Sequence, residues 1–131
     1  MNNTLKTLIV AATAIAAFAT VSTPGAQARE YCKSKIKVVN NTRQAIKIYK
    51  VDFYDYQAKK WRIENLKNKK MGPGHTHTER ANLTGVAAEK VWLELRYRYL
   101  KGNGRWSKMQ KSKGTNVNNC RDGATQTIAI R

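Results

Sequence analysis

After the first thirty or so residues, apolar and polar side chains alternate with the two-residue period of β-strands rather than a helical period of about 3.6. The clearest run is Val91 to Tyr99, where Val91, Leu93, Leu95, Tyr97 and Tyr99 share one face and Trp92, Glu94, Arg96 and Arg98 the other. Thr125 to Ile130 alternates in the same way and brings Ile128 and Ile130 together, in a terminal strand expected to pair near the first. That first strand is marked by Ile36, Val38 and Val39, and it ends at Asn40-Asn41-Thr42, a turn in which Asn tolerates positive φ.

Residues 44–56 change phase. Ile46 and Ile48 share one parity, Val51 and Phe53 the other, and a straight strand cannot bury both pairs on one side. An extra residue near Tyr49 or Lys50 realigns them, so the pattern predicts a β-bulge there or a bend between two sheets. Tyr54 and Tyr56 then cover the other sheet face or flank a binding surface. Gln57 to Lys60 turns the chain into a hairpin strand with Trp61 and Ile63 on one face and Arg62 and Glu64 on the other. Residues 65–82 read mostly as a basic loop, with a short extended piece around Thr76 to Arg80. Gly102-Asn103-Gly104 predicts a tight reversal into a returning strand over Arg105 to Gln110, followed by a polar, flexible stretch from Lys111 to Asn119.

Six to eight short strands punctuated by Gly and Asn predict an all-β fold, a small antiparallel β-sandwich, with a closed barrel as the alternative. The pattern does not give the strand order.

The first 28 residues stand apart as an expected export signal. Lys6 supplies a positive start, Leu8 to Val21 an apolar run too short for a comfortable membrane span, and Ala26-Gln27-Ala28 a cleavage site. Removal leaves one basic domain at 29–131, in the periplasm or secreted, with no transmembrane helix. The two cysteines, Cys32 and Cys120, lie 88 positions apart near the ends of that domain, and in an oxidising compartment they are expected to form a disulfide that closes it.

Charge is the outstanding compositional feature: 25 Lys and Arg against 8 Asp and Glu give +17 over 131 residues. Lys6 is the only charged residue in the leader, so nearly all of that charge belongs to the expected mature domain. Such a field raises the local concentration of anions. The cations come in clusters with aromatic residues among them, making Lys59, Lys60, Arg62, Lys67, Lys69, Lys70, Trp92, Arg96, Arg98, Arg105 and Trp106 the candidate ligand-binding residues. Arg96 and Arg98 share a strand face with Trp92, so two guanidinium groups and an indole face one ligand there.

These residues point to a binding module for an anionic envelope polymer, a membrane surface or an acidic partner protein, with extracellular nucleic acid also admissible. The second reading is a small secreted hydrolase or toxin acting on a polyanion such as nucleic acid, centred on Gly74-His75-Thr76-His77-Thr78-Glu79-Arg80. If that stretch is extended, His75, His77 and Glu79 share a face and Arg80 points away, leaving the acid–base constellation incomplete. His75 and His77 also fall short of the ligand count of a structural zinc site, so neither a metal nor a cofactor is expected. Asn40-Asn41-Thr42 and Asn82-Leu83-Thr84 match glycosylation acceptors but are expected to be turns.

Overall fold

A computed structural model describes residues 31–131. The expected leader and its cleavage site lie outside the described residues. Nine strands are present among those described: β1 (Tyr31–Asn40), β2 (Ile46–Asp55), β3 (Lys60–Asn65), β4 (Lys70–Met71), β5 (Thr76–Thr84), β6 (Val91–Tyr99), β7 (Gln110–Lys111), β8 (Thr115–Val117) and β9 (Thr125–Ile130). They form a three-stranded sheet in the order β5-β1-β9 and a six-stranded sheet along β3-β2-β6-β7, where β4 also pairs with β2 and β8 with β6. The two sheets face each other across one core as a sandwich and do not close into a barrel.

Alternation explains the core. Cys32, Ile36 and Val38 of β1, Leu93 and Leu95 of β6, and Ile128 and Ile130 of β9 point inward and are buried, while their neighbours along each strand face out. In β2 the ladder with β6 slips between Ile48, paired with Tyr97, and Lys50, paired with Arg96. Tyr49 is the extra residue. The bulge puts Ile46, Ile48, Val51 and Phe53 all on the buried side, as the phase change requires.

Cys32 and Cys120 are bonded, with their Cα atoms 5.8 Å apart. This link also bears on the one parallel pairing, β1 with β9, which begins at Lys35 and Thr125. Both strands leave the covalent junction in the same sense, and Lys33 N donates to Asp122 Oδ1 (2.8 Å) and Lys35 N to Ala124 O (2.7 Å) as they converge. The other strand pairings are antiparallel.

Several expectations are corrected. The segment after β3 is not mostly loop: it holds β4, and the extended piece expected around Thr76 to Arg80 is the first part of the nine-residue β5, which pairs along β1 from Tyr31↔Thr84 to Val39↔Thr76. Asn82 therefore sits inside a strand. The turn after β1 uses Asn40 through its side chain, since among the described residues only Lys59 and Ala88 have positive φ besides glycines. Asn40 Nδ2 donates to Gln44 O (2.8 Å) and Gly72 O (2.9 Å), and its Oδ1 accepts from Thr42 Oγ1 (2.7 Å), so the buried amide ties two loops together. The hairpin return after Gly102-Asn103-Gly104 is broken: a single bridge joins Leu100 to Trp106, and Ser107 Oγ accepts from Tyr99 N before β7 resumes the ladder. The polar stretch after Lys111 contributes β8, which pairs with the start of β6.

Candidate functional site

Outward-facing residues of the six-stranded sheet build a mixed cationic and aromatic surface. On β6 they are Trp92, Glu94, Arg96 and Arg98, and the neighbouring β2 presents Lys47 before the bulge, Tyr49 at it, and Lys50, Asp52 and Tyr54 after it. β4 adds Lys70, the cross-strand partner of Lys47, and Trp106 lies beyond Arg98. The fold therefore brings Lys70, Trp92, Arg96, Arg98 and Trp106 of the sequence candidates onto one face.

At one end, cations gather around rings. Lys47 Nζ lies 5.5 Å and the Arg98 guanidinium 5.7 Å from the Tyr49 ring centre, and Lys70 Nζ lies 6.0 Å from that of Trp106. The bulge makes this possible, because it turns Tyr49 out between two cations. Among the described residues, Lys47, Lys50, Lys70 and Arg98 have no ion-pair partner; Lys70 is exposed, Lys47, Lys50 and Arg98 are half-buried, and the Arg98 Nε is covered without a hydrogen-bond partner.

At the other end the face is aromatic. Tyr54, Tyr56, Trp61 and Trp92 line a shallow cleft of about 290 Å³, with Tyr54 in edge-to-face contact with both Tyr56 (5.1 Å) and Trp61 (5.4 Å). Trp61 is 50% exposed, and Ile63 beside it on β3 is also exposed, so the apolar parity of β3 faces solvent. Between the two ends the charges other than Lys50 are internally balanced. Arg96 Nε donates to Asp52 Oδ2 at 2.6 Å, and Lys111 Nζ reaches Glu94 (3.2 Å) and Asp52 (3.5 Å) while lying over the Trp61 ring.

The remaining candidates fall elsewhere. Arg62 points inward, where Nε and Nη2 both donate to the buried Asp55 carboxylate at 3.0 and 2.9 Å. Burial pushes the Asp55 carboxyl up, but the Ala58 N–H and Arg62 outweigh that and hold it below its ordinary 3.8. Lys59 and Lys60 lie at the β2–β3 turn, Lys69 in the loop before β4, and Arg105 in the exposed hairpin turn.

His77 and Glu79 take inward parity at the β5 edge, opposite Val38 and Ile36, and His77 Nε2 and Glu79 Oε2 share a hydrogen bond of 2.8 Å. With Lys35, Lys67, Thr78 and Arg80 they line a cleft of about 500 Å³. His75 lies outside it, exposed in the preceding turn. Among the described residues no group of three or more His, Cys, Asp or Glu side chains gathers to hold a metal, and no helix is long and apolar enough to cross a membrane.

The sequence candidates omit Lys47, Tyr49, Lys50, Tyr54, Tyr56 and Trp61 of this surface. Tyr54 and Tyr56 carried a signal in their parity, opposite to that of buried Phe53, but Tyr49 and Lys47 become neighbours of Arg98 only through the bulged register. Lys33, Lys35 and Lys37 also escape that set, although their alternation in β1 places them side by side on the outer face of the other sheet. No family model, curated protein or solved structure matches this chain.

Proposed function

We propose that this protein is an exported binding module for an anionic polymer of the cell envelope, acting through the outer face of its six-stranded sheet. The observation that carries this reading is the set of unpaired cations interleaved with rings: Lys47 and Arg98 around Tyr49, Lys70 beside Trp106, and Lys50 between them and the aromatic cleft. Unpaired cations attract a polyanion at long range and contact its charged groups at short range. Exposed rings add sequence-tolerant contact with planar or sugar units between the charges.

Purified protein titrated with anionic polymers over a range of salt concentrations tests this. Saturable binding is expected to weaken steadily with salt, and Lys47→Ser/Lys50→Ser/Lys70→Ser is expected to lower affinity about tenfold or more, each lost phosphate-type contact flattening the salt dependence. Indifference to every polyanion in dilute buffer rejects the reading.

The His77–Glu79 pair supports a second reading, a small hydrolase of a polyanion, because a carboxylate-oriented imidazole beside Lys35 and Lys67 is a general base with cations near it. Binding ranks first because a single imidazole–carboxylate pair supplies only one acid–base group. Polymer turnover that disappears in His77→Ala would reverse the order.

A further inference from the structure

The outer face of the three-stranded sheet has a simpler composition than its counterpart. Its central strand, β1, presents Lys33, Lys35 and Lys37, all exposed. Arg80 pairs with Lys35 from β5, and Thr78 and Thr127 flank Lys37 from β5 and β9. None of the outward positions of these three strands is an acid, and among the described residues none of the four cations is in an ion pair. Asp122, at the border, accepts from the main-chain N–H of Lys33. On the six-stranded sheet, by contrast, Asp52 and Glu94 neutralise two of the outward cations.

Strand geometry fixes the repeat of this row. Alternate residues of a strand recur every ~6.6–6.8 Å on one face, about the separation of successive phosphates in an extended phosphodiester chain. Each phosphate carries one charge and two free oxygens. A lysine ammonium meets the charge, and a threonine hydroxyl on the adjacent strand supplies a second donor beside it, the usual division of labour in phosphate contacts.

We infer that the outer face of the β5-β1-β9 sheet is a second binding site, which takes a linear phosphodiester polymer laid along β1 with one phosphate per lysine. This rests on the polyanion-binding reading and names the class of polymer. The recognised chemistry is the phosphodiester repeat, supplied either by single-stranded nucleic acid or by a glycerol-phosphate polymer.

The test compares wild-type protein with Lys33→Ser/Lys35→Ser/Lys37→Ser and with a charge-matched control, Lys59→Asn/Lys101→Ser/Lys108→Ser. All six positions are exposed, and Asn suits the positive φ at residue 59. The probes are a labelled thymidine oligonucleotide, poly(glycerol phosphate) and poly-glutamate, each titrated over a range of salt. The β1 variant is expected to lose at least tenfold in affinity for a phosphodiester probe, and its log–log salt slope should flatten by roughly 2, since each phosphate contact on a single strand contributes about 0.7. The control should lose much less. Loss with both phosphodiesters assigns the site to the shared repeat; loss with one alone identifies the source. Equal losses in the β1 variant and the control, an unchanged salt slope, or a β1-dependent loss confined to poly-glutamate would overturn the inference. In those cases, continued binding that depends on Lys47, Lys50 and Lys70 would leave the first site standing.

Discussion

Arg96 donates through Nε to Asp52 Oδ2 at 2.6 Å, although its direct partner across the β2–β6 ladder is Lys50. The diagonal choice removes Arg96 from the free cations of the face and leaves Lys50 without a counter-charge. Asp52 is 2% exposed, and its carboxylate also draws in Lys111. Replacing Asp52 by Asn keeps the shape but removes the charge that both cations share. The variant is expected to lose about 1–3 kcal/mol of stability, typical of a charge-assisted bond to a buried group. Polyanion affinity should rise at the same time, because a negative charge is removed from the face and Arg96 is released, while Lys111 keeps Glu94 at 3.2 Å. Urea unfolding and polymer titration on the same variant read the two effects separately, and their opposite signs are the prediction.

Asp55 provides a pH-dependent counterpart. Its folded carboxyl is held below 3.8, so the folded state binds this proton less readily than the unfolded chain does. The stability it contributes is present above that ordinary value and is lost as pH falls below 3.8 through the lower folded value. Asp55→Asn should be less stable at neutral pH, and its stability should fall less than that of the wild type between pH 5 and the acid transition. Denaturant unfolding across that range checks this. Parallel pH curves for the two proteins would show that the Arg62–Asp55 pair does not contribute.

Gly114 lies directly against the Trp92 indole at the aromatic end of the face. A methyl group there would overlap the indole of Trp92, whose Nε1 donates to Glu94 Oε1 at 3.1 Å. Gly114→Ala is expected to displace the ring, cost roughly 1–3 kcal/mol through overpacking, and shift the tryptophan emission. Gly85→Ala makes a useful contrast, since the added strain comes from a φ of +78° and falls on Arg62 rather than on Trp92. It should destabilise without the same change in emission.

The Cys32–Cys120 bond closes an 88-residue separation. Loop entropy predicts a loss of about 4–5 kcal/mol on removing such a link. In Cys32→Ala/Cys120→Ala, hydrogen exchange should rise first in the β1–β9 ladder, where the parallel strands diverge from the former junction, and later in the β2–β6 ladder. Uniform acceleration would argue against a local role in starting the parallel pair.

Much of this architecture is written in local parity. Val91 to Tyr99 shows its buried face directly, and the phase change from Ile46 and Ile48 to Val51 and Phe53 narrows the irregularity to Tyr49 or Lys50, while the ladder with β6 decides for a bulge at Tyr49 over a bend between sheets. The β5 strand is harder to read because its inward positions begin with His77 and Glu79, which satisfy each other at the sheet edge before Ala81 and Leu83 reach the core. β3 misleads in the opposite way: the Arg62–Asp55 pair occupies its inner face, so Trp61 and Ile63 turn outward. The lysines of β1 alternate plainly. Whether they are neutralised depends on β5 and β9, strands far away in sequence, just as the fate of Arg96 depends on Asp52. Counting charges gives the size of the field, and only the pairing of strands reveals which cations remain free.

The two basic faces lie on opposite sides of one core, Lys33, Lys35 and Lys37 on one sheet and Lys47, Lys50 and Lys70 on the other. A polymer held on one face leaves the second available to another chain, or to a distant segment of the same chain at high effective concentration. The wild-type protein should therefore condense a long phosphodiester polymer near charge balance, with a sharp rise in light scattering. Variants lacking either lysine set should still bind but scatter little, because each has one usable face. If either triple variant condensed the polymer as readily as the wild type when each is mixed at its own charge balance with the polymer, bridging through two faces would be rejected in favour of diffuse neutralisation by the whole surface.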